Sequence, residues 1–569
     1  MADTASTKTL PRWAQVYPDG IPLDVEIPDQ TLVEMFETSV DRFGGKIALE
    51  FFGREYSYRT LASEVARVAA GLRRLGVAPG DRVAILLPNC PQHVIAFYAV
   101  LRVGAVVVEQ NPLYTESELR TTFSDHGAVV AIAWESICTM LRDVAEGSAL
   151  THIVSVSLVD ALPLAKRVAL RIPLPAIKKK RAVLGTPPRV EHVSWQALRR
   201  VPRAQAEASR YVAARSGDIA VMQYTSGTSG TPKGVMLTHR NLLANAIQGR
   251  AWVPSLRDGE EVFYGVLPLF HTYGLTFCLT FAMMTGARLV LFPTFDVELV
   301  LAAMRRHPAT FLPAVPPVYE QLARTAEHRN VDMHSIRFSI SGAMELNPKI
   351  IERWEKATGG FLVEGYGMTE CSPIISGNPI SPARRAGSVG VPFPSTRVRI
   401  VDLDDPNREC DPGQRGEIVV AGPQVFAGYW NRPEDTAAAM LPGGWLRTGD
   451  VGVMSEDGFI TIVDRLKELI VTGGFNVVPS EVEAAMRGFP GVADVSVVGL
   501  PRRTGGEDVA AAVVMRPGIH FDAAEIRAYL REKLVSYKVP KRIIEVTELP
   551  RSMVGKVLRR YVRENLFHK

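Results

Sequence analysis

Apolar residues at Leu61, Val65, Val68, Leu72 and Leu75 recur in alternating steps of four and three. They share one face and predict a helix that buries it. Gly80-Asp81 breaks that pattern and opens Arg82–Leu87, RVAILL, an unbroken apolar run expected to be a buried strand. The stretch from Gln92 to Arg102 returns to a helical reading, and Gly104–Val108, GAVVV, predicts the next strand. Strand, helix and strand joined by short glycine-marked turns predict a parallel α/β sheet.

Further on, Val262–Ala287 contains no Asp, Glu, Lys or Arg. It exceeds the ~20 residues a spanning helix needs. Gly265, Pro268, His271 and Gly274 interrupt its first half, so a buried strand, a turn and a core helix are expected, with no transmembrane helix. Beyond about Asp464 the elements shorten. Asp494–Leu500 and Val509–Met515 predict strands, and Ala523–Leu534, with Ile526, Leu530 and Leu534 four apart, predicts an amphipathic helix. The VMLTHRNLLANAI stretch from Val235 reads as the start of a helix, and the preceding DIAVMQY as a strand.

The chain has 569 residues, more than the roughly 300 that one core holds, so at least two domains are expected. The expected fold is α/β: a large N-terminal domain, 1–464, of parallel-rich sheets packed with helices, then a small α+β C-terminal domain, 465–569. With 65 basic and 60 acidic residues the net charge is +5, too balanced to argue for nucleic acid. Five scattered cysteines without a C-x-x-C pair give neither a disulfide framework nor a zinc site. MADTASTKTLPRW lacks an apolar signal core, and a cytoplasmic protein is expected.

Between Asp160 and Glu191 stand eight basic residues and no acid: Lys166, Arg167, Arg171, Lys178, Lys179, Lys180, Arg181 and Arg189. Leucine, valine, isoleucine and proline interleave them. A solvated surface excursion and a peripheral contact with anionic lipid through 166–181 fit this composition equally.

Tyr224–His239, YTSGTSGTPKGVMLTH, is the segment richest in chemistry. It sets Thr225, Ser226, Thr228, Ser229 and Thr231 among Gly227, Gly230 and Gly234, and then adds Lys233. Glycines let backbone N–H groups turn toward an anion, hydroxyls donate, and lysine adds a point charge. A polyphosphate needs that combination. The Walker A spacing is absent, because Thr231-Pro232-Lys233-Gly234 follows Gly230.

This loop resembles the signature loop of the adenylate-forming superfamily, which includes acyl-CoA synthetases, luciferases and the adenylation domains of peptide synthetases. Other segments resemble that superfamily's motifs in order: Ser341–Leu346 (SGAMEL), Glu364–Glu370 (EGYGMTE), Gly443–Asp450 (GGWLRTGD), Asp464–Glu483 and Pro550–Arg560. The likeness runs from about Asp29 to Leu566. Any one of these residues alone would serve as well as a cap, a surface acid or a core aromatic; the shared order carries the argument.

The resemblance implies a reaction and roles. ATP activates a carboxylate as an acyl adenylate, and coenzyme A then takes the acyl group. Thr228 and Glu370 hold Mg²⁺, and Lys556 bridges carboxylate and α-phosphate. Those three and His271 are the catalytic candidates. Thr225, Ser226, Gly227, Ser229, Gly230, Thr231 and Lys233 surround the phosphates. Gly342, Ala343, Glu364, Gly365, Tyr366, Gly367 and Thr369 form the adenine site, with Tyr366 stacking on the base. Asp450 accepts from the ribose hydroxyls, and Arg465 is a second ribose or phosphate contact. The C-terminal domain is implied to be mobile, with Lys467 at its hinge, and to bring Gly473 and Gly474 to the coenzyme A tunnel.

Leu267–Leu275, LPLFHTYGL, falls where the family lines its acyl pocket and presents no acid for a substrate ammonium. An apolar slot gains ~0.8 kcal/mol per buried methylene, which favours a chain-like acid. The C-terminal third looks closest to bacterial long-chain fatty acid–CoA ligases. Gly473, where serine is common, and Ser552-Met553-Val554 depart from the usual pattern. Long-chain acids are the expected substrates, with medium-chain acids also accommodated. The alternatives are a fatty acyl-AMP ligase loading a carrier protein and an aryl-acid or luciferase-like ligase.

Overall fold

The helix expected around Leu61–Leu75 runs Tyr58–Arg74, and Leu61, Val65, Val68 and Leu72 are its buried face. The strands follow as expected, at Arg82–Leu86 and Val106–Glu109, separated by the helix Pro91–Val103. The structure, a computed structural model, describes residues 10–567 apart from 145, 173, 208–213, 226–231, 473–474, 503–506 and 553–554.

Two large sheets form most of the N-terminal part. The eight-stranded sheet has, at its centre, Ile219–Thr225, Val106–Glu109, Arg82–Leu86, Val130–Trp134 and His152–Val156, side by side and parallel. The nine-stranded sheet places Phe361–Gly367, Phe338–Ser341, Phe311–Ala314, Val262–Gly265 and Arg288–Leu291 next to one another, also parallel. Parallel strands covered by helices on both faces are buried throughout, which is why their sequences are continuous apolar runs rather than alternating ones.

Parallel order has a geometric consequence. Every strand delivers its following loop to the same edge of the sheet, where ligand crevices form. Ala314, Ser341 and Glu364 lie in register at that edge. The segments that follow Gly265, Ala314, Ser341 and Gly367 therefore emerge together, and those after Gly265, Ser341 and Gly367 carry three of the sequence motifs.

A third, antiparallel sheet contains Arg397–Val401, Arg415–Ala421, Trp445–Met454 and Ile460–Arg465. After it comes a hairpin of Ile470–Thr472 and Phe475–Val477, then a sheet of Val492–Pro501, Glu507–Met515 and Arg542–Glu545 flanked by helices Pro479–Arg487 and Ala523–Lys533. Val482, Met486, Val497, Ile526 and Leu530 pack in one apolar cluster of this part, and Val498, Ala510, Leu549 and Val562 in another.

Val262–Ala287 is a strand, a turn and a helical stretch over Thr272–Met284. Among the described residues no helix is long and apolar enough to cross a membrane. The basic stretch, expected to be a solvated surface excursion or a lipid contact, contains two short helices, Leu164–Ala169 and Pro175–Leu184.

One element differs from expectation. Lys233–Thr238 is a strand, and the helix begins at His239. Val-Met-Leu suits either state locally; pairing with Ile219–Thr225 decides it. Thr238 Oγ1 accepts from Asn241 N at 3.1 Å, and Asn241 Oδ1 accepts from Thr238 N at 2.9 Å. The Asn241 amide also donates to the carbonyls of Pro423 and Val425, both at 2.8 Å. One buried side chain thus caps the helix behind the phosphate loop and fixes the segment leading to Tyr429. Asn241→Ala removes one of the two reciprocal capping bonds and leaves two carbonyls without this donor, so a loss of about 3 kcal/mol is expected in urea unfolding.

Candidate active site

Thr225 and Lys233 face each other as the last register pair of their two antiparallel strands, so the Gly/Ser/Thr loop leaves and returns at one point. Ser226, Gly227, Thr228, Ser229, Gly230 and Thr231 lie outside the described residues. Lys233 ion-pairs with Asp435, and its Nζ stands 5.2 Å from the centroid of the Tyr429 ring. The Tyr429 hydroxyl donates to Glu370 Oε1 at 2.8 Å. Burial, followed by the Glu370 charge, raises the phenol's pKa, which keeps it a donor. Glu370 is 6% exposed, on the turn Thr369–Cys371. Tyr429 therefore joins the phosphate-loop lysine to the expected metal ligand, although no spacing in the sequence singles it out.

Tyr366, at the end of the strand Phe361–Gly367, donates its hydroxyl to Asp450 Oδ2 at 2.5 Å. Asp450 is the register partner of Arg465 across two antiparallel strands. The expected base-stacking and ribose-binding residues are thus neighbours. The Arg465 side chain lies outside the described set.

Glu364 points inward. Its Oε1 accepts from Leu346 N at 3.2 Å, tying the two adenine segments together rather than reaching for a base. Burial raises its pKa to about 7, against the backbone donors at Leu346 and Gly387, and the nearby Glu345 adds to the rise.

Gly342 is filled by another neighbour. A methyl group there would stand 3.2 Å from the Tyr273 ring, and the Tyr273 hydroxyl donates to Ile340 O at 2.7 Å. The acyl segment and the adenine segment therefore pack directly on each other. Ala343, at φ 68°, makes an exposed left-handed turn that non-glycine residues seldom adopt. Gly365 and Gly367 lie under the antiparallel strand Ile374–Gly377; a methyl at Gly367 would stand 2.0 Å from Pro373 O, so only glycine fits.

The His271 residue is exposed to solvent although protein mass surrounds its ring, and that desolvation lowers its pKa. Its Nδ1 accepts from Tyr273 N at 3.3 Å, leaving Nε2 as the donor of a neutral ring. Gln223, two residues before Thr225, grips both neighbours of His271. Its amide donates to Phe270 O at 3.2 Å, and its carbonyl accepts from the Thr272 hydroxyl. Sequence reading had passed over Gln223, a lone polar residue in an apolar strand.

Lys556 sits on a turn closed by the Arg551–Val557 bridge; its backbone N donates to Ser552 Oγ at 3.2 Å. Gly555 has φ +80°, and a methyl group there would stand 2.8 Å from Met344 Sδ. The C-terminal lysine turn thus rests on the adenine segment Ser341–Leu346. The backbone of Lys467 lies in the short turn Leu466–Glu468; its side chain, like Gly473 and Gly474 as a whole, lies outside the described residues. Arg559 ties this turn to the strand Ile460–Arg465 and the helix Pro479–Arg487. It ion-pairs with Glu468, with Asp464 at 3.4 Å and with Glu483 at 2.8 Å. Burial alone would lower the guanidinium's pKa; the three carboxylates outweigh it and raise it.

Two outcomes follow from this geometry. A hydrogen bond to a charged group contributes about 1.5 kcal/mol, so Tyr366→Phe should raise the ATP concentration at half-maximal rate about tenfold. For Glu364, the folded chain keeps a proton up to about pH 7 that a free carboxyl releases near pH 4.5. The native state binds more protons in that window, so stability falls as pH rises through it. Glu364→Gln should flatten the decline in Tm between about pH 5 and about pH 8; an unchanged decline would refute the assignment.

The comparisons with known proteins agree with this geometry. The AMP-binding enzyme family matches residues 36–430, and the AMP-binding enzyme C-terminal domain matches residues 481–556. The long-chain-fatty-acid–CoA ligase of Bacillus subtilis (strain 168) is 38% identical over 558 residues, 97% of each chain. The enzyme of the same name from Escherichia coli O157:H7 is 38% identical over 558 residues, 97% of this chain and 98% of that one. Among solved structures, ATP-bound MatB from Rhodopseudomonas palustris superposes with a TM-score of 0.78 at 29% identity, covering 94% of this chain and 99% of that one. A Mycobacterium tuberculosis fatty acyl CoA synthetase gives 0.71 at 28% identity, covering 94% and 98%. Sequence, sheet order and the convergence of motifs agree, and the chain belongs to the AMP-binding enzyme family.

Proposed function

We propose that this chain is an AMP-forming fatty acid–CoA ligase that favours long-chain acids. The observation that carries the reading is convergence. The Lys233–Tyr429–Glu370 group, the Tyr366–Asp450 bond and the Lys556 turn against Met344 bring residues of two other sheets and of the C-terminal turn onto the segments at one edge of the nine-stranded sheet. The apolar segment around Tyr273 abuts them, and the long-chain ligases among the relatives support the choice of acid.

In the first half-reaction a carboxylate oxygen attacks the α-phosphorus of ATP, and the bond to pyrophosphate breaks. Two anions must meet, so the site has to supply positive charge and oriented donors. Lys233 serves the departing phosphates, and Lys556 neutralises the charge that builds between carboxylate and α-phosphate. The neutral His271 ring orients the acid through Nε2–H without competing for it as a second cation. Tyr366 and Asp450 hold the nucleoside.

Among the described residues no cluster of three or more His, Cys, Asp or Glu could hold a metal. Glu370 and the Thr228 hydroxyl are hard oxygen donors of the kind Mg²⁺ takes, with water and nucleotide oxygens completing its shell. When bound, the ion neutralises phosphate charge.

In the second half-reaction the coenzyme A thiolate attacks the acyl carbonyl, and AMP leaves. We assign 1–464 to the ATP- and acyl-binding domain and 465–569 to a mobile domain. It turns at Lys467, withdraws Lys556 and brings Gly473 and Gly474 to the thiol. The enzyme is cytoplasmic and meets its sparingly soluble acid at the inner membrane face.

Lys556→Ala should lower fatty-acid-dependent ATP–pyrophosphate exchange by ~100-fold or more, while thioester formation from supplied acyl adenylate persists. Exchange at the wild-type rate would refute the role of Lys556. Comparing free coenzyme A with a carrier protein as acceptor separates this reading from an acyl-AMP ligase.

A further inference from the structure

We propose that the short helices Leu164–Ala169 and Pro175–Leu184, with Arg171, Ile172 and Leu174 between them, form a docking surface for an anionic lipid bilayer. This deepens the proposed function by naming the surface, and rests on that reading only for its lipid-borne substrate.

The segment has inward anchors of its own. Leu162 is buried, and Leu170 and Leu184 pack against the main core. Lys166 donates to Phe52 O at 2.8 Å, Arg167 pairs with Asp160 at 3.3 Å, and Trp134 Nε1 donates to Leu184 O at 2.8 Å. With those contacts made, four large apolar side chains face water. Leu164 is 73% exposed, Val168 55%, Ile172 47% and Leu174 56%. These are four of the twelve large hydrophobics exposed among the described residues, gathered within eleven positions. Single exposed leucines are ordinary, but a cluster of this kind marks an interaction surface.

Charge identifies the occupant. Arg171, Lys178 and Arg181 are exposed beside the apolar group, and the sequence adds Lys179 and Lys180 with no acid between Asp160 and Glu191. Apolar side chains that can enter the acyl boundary, flanked by cations that meet headgroup phosphates, fit a negatively charged bilayer surface. A second copy of this chain would bring the same cations together and be repelled.

The test is co-sedimentation of the full-length protein with phosphatidylglycerol/phosphatidylcholine vesicles and with pure phosphatidylcholine vesicles. The expected results are binding to the anionic vesicles at least about tenfold stronger than to the neutral ones, and its weakening at about 0.5 M salt. One variant carries Leu164→Ser, Val168→Ser, Ile172→Ser and Leu174→Ser; another carries Arg171→Glu, Lys178→Glu and Arg181→Glu. Each should lose about tenfold or more of vesicle binding while keeping the wild-type Tm and turnover of a water-soluble medium-chain acid. Equal binding to neutral vesicles, variants that bind like wild type, or a dimer lost in the variants without any vesicle binding would each overturn the proposal. Vesicle binding without acyl-CoA formation would instead overturn the proposed function and leave the surface standing.

Discussion

Phosphates and carboxylates repel each other, and a protein that joins them must gather positive charge and oriented donors at one place. In this chain the parallel sheet meets that constraint. Because neighbouring strands run the same way, Ala314, Ser341 and Glu364 end side by side, and the loops beyond them have nowhere to go but the same crevice. The phosphate-loop strand Ile219–Thr225 belongs to the other large sheet, yet Gln223 reaches across to grip the residues on either side of His271. Tyr429 makes a second crossing, between Lys233 and Glu370.

Much of the fold was legible in the sequence, and for physical reasons. Buried parallel strands are long apolar runs bounded by glycine, and the helix Tyr58–Arg74 has a face that repeats with the helical period. Lys233–Thr238 was misread because six residues cannot declare their state alone. Its partner strand Ile219–Thr225 decides, and that pairing lies outside the six residues themselves. The basic stretch was read correctly for its charge but not for its two short helices, since proline and clustered lysines weaken helical spacing.

The site was legible where chemistry demands a residue type and opaque where it demands a position. Glycine, hydroxyl and lysine in one loop announce a polyphosphate, and Glu370, Asp450 and Lys556 emerged from motif order. Tyr429, Gln223, Asp435 and Arg559 act by bridging segments far apart in the chain, for example Tyr429 to Glu370 and Arg559 to Asp464. Nothing in their own surroundings distinguishes them from core or surface residues. Glu364 shows the opposite case, a motif residue whose side chain proves to be internal scaffolding.

Arg559 has a kinetic consequence. A single planar guanidinium holds Asp464, Glu468 and Glu483 at once, and these carboxylates lie on both sides of the short turn at Lys467. In the proposed rotation of 465–569 about Lys467, Glu468 and Glu483 travel with Arg559, and of the three pairs it is the Asp464 one that spans the turn and must break. On that proposal the Asp464–Arg559 pair is a latch, closed in the orientation of this structure, and breaking it adds to the barrier for the turn.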